Sequence, residues 1–229
     1  MDDFQERLAS LGLAALSNFG FALAGGYALQ AHGLLKRASE DIDLFTDRWD
    51  PKDFQRAVEA VSRRLQTEGL EFAIVRRGET FARFQVDDPG SGRTGLMDLA
   101  ADFRDHEPVR LEIGPVLSED DAVASKVAAT FSRGEARDYL DLAEVLASQR
   151  YRKDELISLA ARADAGFSLQ IFSDALASVD RFPDEEFERY GVSSEQIKRT
   201  RAAMKTWSAE LKRQLEREIR DRGSPGIER

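Results

Sequence analysis

Residues 19–45 read FGFALAGGYALQAHGLLKRASEDIDLF, and the glycine, apolar and acidic residues of this segment indicate more of the architecture than any other part of the chain. Phe19 to Ala24 is a short apolar run, typical of a buried strand. The pair Gly25-Gly26 predicts a turn into a helix ending near Gly33, with backbone N–H groups at its start that favour an anion. Residues 41–45, DIDLF, alternate polar and apolar side chains, which predicts a half-buried strand.

The segments that follow continue this mixture of helices and strands. Asp50-Pro51 is typical of a capped helix start, and three more strands are predicted at 71–75, 81–86 and 95–100. After Gly114-Pro115 the pattern stays helical almost to the C-terminus. The predicted fold is therefore α+β, with a mixed sheet and flanking helices over 1–115 and an all-helical domain over 116–229.

The composition excludes several kinds of site. The chain has 229 residues and no cysteine, so it has no disulfide framework, no thiolate nucleophile and no Cys-ligated zinc. With His32 and His106 as its only histidines, it also lacks the ligands of a His-rich metal site. A metal ion must therefore be bound by carboxylates, which are the preferred ligands of Mg²⁺ and Mn²⁺.

Charge bears on partners and location. The net charge of -9 argues against a protein that coats nucleic acid by bulk electrostatics, although a local basic patch is compatible with it. Acidic side chains predominate over 154–195 and basic ones over 196–229. The uncharged run from Leu8 to Leu35 contains turn-forming residues, and the acidic start does not fit a signal peptide. We therefore expect a cytoplasmic protein with no membrane segment.

Asp41, Asp43 and Asp98 are the carboxylates predicted to bind metal. Residues i and i+2 of a strand share a face, so Asp41 and Asp43 lie side by side and repel each other unless a cation compensates. The alternative is a solvated acidic pair. Asp98, in an otherwise apolar strand, is predicted to supply a third carboxylate, unless that strand lies at an exposed edge.

The glycine pair adds a second element to this site. Gly25-Gly26 is either a tight turn that only packs a helix or a cradle for phosphate. Beside a metal-binding carboxylate pair, a phosphate cradle is what metal-assisted phosphoryl or nucleotidyl transfer requires.

Two groups of motifs resemble those of the AbiEii/AbiGii-type toxins, which belong to the polymerase-β-like nucleotidyltransferase superfamily and include the MenT-type toxins that modify tRNA. The first group is LAGGYAL (23–29), His32 and RASEDIDLF (37–45), similar to the family's Gly-Gly and Arg-x-Ser/Thr-x-Asp-Ile-Asp signature. The second is Lys126, Arg133 and RDYLDL (137–142), similar to its later Lys and Arg-Asp-x-x-Asp motifs. The motifs stand in the family's order.

The resemblance implies roles for individual residues. It assigns the triphosphate to Gly25 and Gly26, the metal ions to Asp41 and Asp43, a nucleotide phosphate to Lys126, and a further active-site role to Asp138. One departure from the wider superfamily is Gly26, because many relatives have serine there.

Three positions, Ser39, Arg37 and Lys126, keep two interpretations. Ser39 either lies beside the metals or makes local turn hydrogen bonds. Arg37 either contacts phosphate or pairs with Glu40. Lys126 is either a phosphate ligand or a surface lysine. Arg133 stands at helical spacing from Arg137 and Asp141, and the three are predicted to form an ion-pair ladder that supports the site.

The predicted activity is Mg²⁺- or Mn²⁺-dependent transfer of a nucleoside monophosphate from an NTP to an acceptor hydroxyl, with a helical domain that closes the cleft through Lys126 and Asp138. The resemblance implies a pyrimidine NTP, the 3′ end of tRNA as acceptor, a block of translation, and a cognate antitoxin protein as partner. Two alternatives stay open: transfer to a small molecule such as an aminoglycoside, and a catalytically silent binding module. The oligomeric state is also open.

Overall fold

The structure is a computed structural model that describes residues 2–37 and 39–223 of the chain. It forms two compact units, Met1–Val123 and Ala124–Arg229. The first unit contains the helices α1 (Asp3–Ala15), α2 (Gly25–Ala31) and α3 (Pro51–Thr67). Its strands are β1 (Ala22–Leu23), β2 (Asp41–Thr46), β3 (Glu71–Arg77), β4 (Phe81–Asp88), β5 (Arg93–Ala101), β6 (Val109–Leu111) and β7 (Gly114–Val116).

The seven strands form one mixed sheet in the order β3-β4-β5-β2-β1-β7-β6. β2 runs parallel to β5 and β1 parallel to β7, while the other neighbouring pairs are antiparallel. The mixed sheet with flanking helices that the sequence predicts is therefore confirmed.

One face of the sheet is apolar because alternate residues of each central strand point toward helices. Ile42 and Leu44 of β2 and Met97 of β5 are buried on this face. A Cβ atom on Gly12 of α1 would meet both Leu44 and Met97, so this helix lies directly against the strands. The period of two places the intervening polar residues of β2 and β5 on the opposite face.

The structure corrects the sequence prediction at two places. The first strand has only two residues, because residues 16–20 form turns, and Phe19 to Phe21 are not part of it. Strands β6 and β7 were not predicted at all, since each has three residues and Gly114-Pro115 has the composition of a turn. The predicted domain ranges 1–115 and 116–229 stay a prediction; residue 115 lies within β7.

The second unit is helical over its described residues. The helix α4 (Glu119–Ser132) runs across the division of the chain and is followed by α5 (Ala136–Ala147), α6 (Lys153–Ala163), α7 (Leu169–Ala177), a 3-10 turn at Ser178–Arg181, α8 (Asp184–Glu188) and α9 (Ser194–Gly223). Phe172 of α7 packs edge-on against Trp207 of α9, with ring centroids 5.2 Å apart. Helix α9 has an apolar face that is buried from Ile197 to Leu211, whereas its Ile219 is 72% exposed.

No helix of the described residues combines the length and the apolar character that crossing a membrane requires.

Candidate active site

The glycine turn joins β1 to α2 and lies directly against an acidic side chain. Gly25 has a φ of +59°, a left-handed conformation that residues with a Cβ rarely adopt. A Cβ atom at this position would lie 1.8 Å from Oδ2 of Asp43. The backbone N–H of Ala24 donates to the carbonyl oxygen of Asp43 at 2.8 Å, which fixes the turn beside β2. Glycine is therefore required here for both conformation and space.

The second glycine of the pair packs against the segment that leads into β2. A Cβ atom on Gly26 would lie 2.7 Å from Oγ of Ser39. The Ser39 hydroxyl donates to the carbonyl oxygen of Asp41 at 3.4 Å. This local hydrogen bond agrees with the turn interpretation of Ser39, and the closeness of Gly26 means that a serine at position 26 would not fit without a shift of Ser39.

Two side chains from α1 and α2 hold the backbone of this segment. The Tyr27 hydroxyl donates to the carbonyl oxygen of Ser39 at 2.7 Å, and Nε2 of Gln5 donates to the same oxygen at 3.2 Å. Oε1 of Gln5 also lies within hydrogen-bonding distance of the Tyr27 hydroxyl and competes with the Ser39 oxygen for its single proton. Burial raises the pKa of the Tyr27 hydroxyl, so it stays a neutral donor. Tyr27 and Gln5 therefore position the residues that precede Asp41.

Asp41, Asp43 and Asp98 lie on one face of the sheet. Asp41 and Asp43 alternate along β2 with the buried Ile42, and Asp98 of β5 is the register partner of Asp43. Strand β5 lies between β4 and β2, so Asp98 is not on an edge strand and the exposed-edge alternative is wrong. Asp41 and Asp98 are 8% and 6% exposed, which makes a counter-charge necessary.

Arg83 of β4 supplies that counter-charge, and the sequence analysis did not identify it. Its Nε lies 2.7 Å from Oδ1 of Asp98, and its Nη2 lies 2.6 Å from Oδ2 of Asp98 and 3.3 Å from Oδ2 of Asp41. The hydrogen bonds to Asp98 and the surrounding carboxylate charges raise the pKa of the Arg83 guanidinium. One signal was present in the sequence. Arg83 is a charged residue between two apolar neighbours in a predicted strand, and the same is true of Asp98.

Arg37 precedes this strand and is half-buried. Its carbonyl oxygen accepts a hydrogen bond from Nε2 of Gln30 in α2. This contact ties the segment to the helix that follows the glycine turn. The two interpretations of the Arg37 side chain, a phosphate contact or an ion pair with Glu40, stay predictions.

The second unit contains a buried ion-pair group around Lys126 of α4. Nζ of Lys126 lies 2.9 Å from Oδ2 of Asp141 and 3.6 Å from Oδ1 of Asp138, both on α5. Lys126 is 7% exposed and both aspartates are fully buried, so the surface-lysine interpretation is wrong. Lys126, Asp138 and Asp141, which belong to the second group of motifs, therefore form one buried cluster of charges.

Arg133 holds the same group from the turn between α4 and α5. Its Nε and Nη2 donate to the two carboxylate oxygens of Asp138 at 2.9 and 3.0 Å. Burial alone would raise the pKa of the Asp138 carboxyl, but the bonds from Arg133 and the charge of Lys126 outweigh it and lower that pKa. Arg133 lies before Gly134 in the turn between α4 and α5, so it does not share the helix of Arg137 and Asp141 as the sequence predicted.

The comparisons with known proteins agree with this geometry. The family model described as "Nucleotidyl transferase AbiEii toxin, Type IV TA system" matches residues 13–224. The chain belongs to the AbiEii family. Its expected AbiEii-type fold, nucleotidyltransferase class and place in a toxin-antitoxin system are thereby confirmed.

Solved structures share the fold of this chain at low sequence identity. JHP933 from Helicobacter pylori is 18% identical, with a TM-score of 0.56, over 96% of this chain and 97% of that one. MenT4, a nucleotidyltransferase toxin from Mycobacterium tuberculosis, is 17% identical, with a TM-score of 0.53, over 95% of this chain and 90% of that one. No curated protein is significantly similar in sequence.

The AbiEii family implies an NTP substrate and a divalent metal ion, and the donor set can be tested against that ion. Among residues 2–37 and 39–223, no group of three or more His, Asp or Glu side chains is arranged to hold a metal ion. Asp41 and Asp43 nevertheless offer carboxylate oxygens on one face, which suit Mg²⁺ or Mn²⁺. Asp98 offers a third carboxylate, which Arg83 occupies in this conformation. The donor chemistry fits the metal, and the ligand roles of the three aspartates stay predictions.

Proposed function

We propose that this AbiEii-family protein transfers a nucleoside monophosphate from an NTP to the 3′ end of tRNA. The acceptor hydroxyl oxygen forms a bond to the α-phosphorus, the α–β phosphoanhydride bond breaks, and pyrophosphate leaves with the proton of the hydroxyl released. The modified tRNA is then unable to accept an amino acid, which blocks translation. This activity takes place in the cytoplasm, where a cognate antitoxin protein restrains it.

The observation that carries the proposal is the convergence of the Asp41, Asp43 and Asp98 carboxylates beside the glycine turn. We assign the divalent cation, Mg²⁺ or Mn²⁺, to Asp41 and Asp43, with Asp98 as a third ligand that would become available when Arg83 releases it. When bound, the cation lowers the pKa of the attacking hydroxyl and screens the phosphate charges. Gly25 and Gly26 make room for the side chains of Asp43 and Ser39, which pack directly against them, and we assign the triphosphate to the backbone of this turn.

Further residues act on the nucleotide. Arg37 and Ser39 precede β2, the strand that carries Asp41 and Asp43, and we assign both to nucleotide binding. In the second unit, Lys126 contacts a nucleotide phosphate, and its ammonium is held in place by Asp138 and Asp141. Asp138 is thus an active-site residue that orients a cation.

The test is incubation of the protein with each α-labelled NTP in turn, Mg²⁺ and total RNA, followed by gel separation. We expect label on the tRNA band with one NTP, a pyrimidine, and no label with the Asp41→Asn or Asp43→Asn variant. A matched acceptor is tRNA whose terminal ribose has been oxidised by periodate, which removes the 3′ hydroxyl and should abolish labelling. Full labelling by either variant would show that the mechanism is wrong. If an aminoglycoside added in place of RNA were labelled and tRNA were not, the proposed acceptor would be wrong.

A further inference from the structure

Arg83 stands in a place that the proposed mechanism gives to a metal ion. Its guanidinium makes two bonds to Asp98, at 2.7 and 2.6 Å, and one to Asp41, at 3.3 Å. Both aspartates are buried, and a paired cation is the ordinary way to stabilise two such charges side by side. A residue of the chain itself therefore offsets part of the negative charge of this site.

We propose that Arg83 is a displaceable counter-ion, whose guanidinium bridges Asp98 and Asp41 until a divalent cation takes its place. The inference rests on the proposed function, because it assumes that these carboxylates bind the metal. It adds that the metal must compete with an internal cation and that Arg83 positions the carboxylates before the metal arrives.

The geometry supports an exchange rather than a permanent pair. The longest of the three bonds is the one to Asp41, so the guanidinium is anchored on Asp98 and reaches to Asp41 with one nitrogen. The Arg83 side chain is 31% exposed, while those of Asp41 and Asp98 are 11% and 8% exposed. The arginine has a path to solvent on a long flexible stem, whereas the carboxylates stay where the strands place them.

A competitor lowers the apparent affinity of the ligand that it excludes. Removing the Arg83 charge leaves two buried carboxylates without their bridging cation, which strengthens their attraction for a divalent ion. A residue that merely packed against the sheet would have no such effect on metal affinity. The affinity of the protein for a divalent metal ion therefore distinguishes a counter-ion role of Arg83 from a packing role.

The experiment is a titration with Mn²⁺ alone, in which free Mn²⁺ is measured by electron paramagnetic resonance. The wild type is compared with Arg83→Gln and with Arg76→Gln as the matched control. Arg76 is the register partner of Arg83 on β3, but its guanidinium lies over the Phe81 ring, 5.2 Å from the centroid. Arg83→Gln should bind Mn²⁺ about tenfold more tightly than the wild type, which corresponds to about 1.4 kcal/mol. Arg76→Gln should stay within about twofold of the wild type, because exposed charges are screened.

The outcomes distinguish this inference from the proposed function. If the wild type binds Mn²⁺ and Arg83→Gln binds it equally or less tightly, Arg83 is not a competitor, and the metal role of the aspartates stands. If neither protein binds Mn²⁺, even with an NTP analogue that cannot be cleaved, both the inference and the proposed metal site are wrong. Should Arg83→Gln fail to fold, Arg83→Lys carries the test: lysine lacks the planar fork, so Mn²⁺ should bind about threefold more tightly than to the wild type.

Discussion

Replacing Gly25 by alanine should disable the site while leaving the fold in place. The new Cβ atom would lie 1.8 Å from Oδ2 of Asp43, whereas side-chain carbons do not approach other heavy atoms closer than 3.0 Å. The Asp43 carboxylate or the turn must therefore move by at least 1.2 Å. A displacement of about 1 Å in a reacting geometry costs on the order of 100-fold in rate. We expect kcat/KM for nucleotide transfer, measured with labelled NTP and tRNA, to fall by about that factor.

Gly33→Ala is the control for backbone strain. Gly33 also has a positive φ, +74°, but a Cβ atom added to it would meet no other atom within 4 Å. Gly33→Ala should lose about 1–2 kcal/mol of unfolding free energy in urea, the cost of a left-handed alanine, and Gly25→Ala should lose at least as much, because its Cβ atom also displaces Asp43. Only Gly25→Ala should lose activity. Equal activity loss in the two variants, or a Gly25→Ala enzyme within threefold of the wild type, would refute the argument that Gly25 makes room for Asp43.

Two further variants test the residues that hold the site. Tyr27→Phe removes the hydrogen bond to the Ser39 carbonyl oxygen and should lower the free energy of unfolding by about 1 kcal/mol, measured by thermal unfolding. Transfer activity should fall several-fold, and unchanged activity would contradict a positioning role for Tyr27. Asp138→Asn removes the buried carboxylate charge that pairs with Arg133 and lies 3.6 Å from Nζ of Lys126, and it should cost about 2–4 kcal/mol in urea at neutral pH. Because the folded-state pKa of Asp138 is lowered, its stabilisation is present above the unfolded pKa of about 4 and is lost as pH falls through the folded value. The two unfolding curves should therefore converge in acid, and a pH-independent difference would contradict this assignment.

The local parts of the site could be predicted from the sequence. Asp41 and Asp43 alternate with Ile42 and Leu44, and a period of two places both carboxylates on one face whatever the rest of the fold does. Gly25 predicts a turn, because glycine adopts a positive φ without the steric cost that other residues have. These inferences need only neighbouring residues, which explains why the structure agrees with them.

Interactions between distant strands could not be predicted in the same way. Arg83 and Asp98 meet because β4 and β5 pair in one particular register, and no local pattern fixes that register. An arginine in a half-buried strand has the same sequence signature whether it is solvated or paired. The ion pair between Lys126 and Asp141 could not be predicted from the sequence either, because it depends on how α4 and α5 pack around Gly134.

The central claim is that Asp41 and Asp43 hold a divalent cation beside the nucleotide. It is tested most directly by a crystal structure with Mn²⁺ and an NTP analogue that cannot be cleaved, with the metal located by its anomalous scattering. The prediction is an Mn²⁺ peak about 2.0–2.2 Å from carboxylate oxygens of both aspartates, with the triphosphate against Gly25 and Gly26. A bound nucleotide whose metal touches neither Asp41 nor Asp43 would contradict the claim.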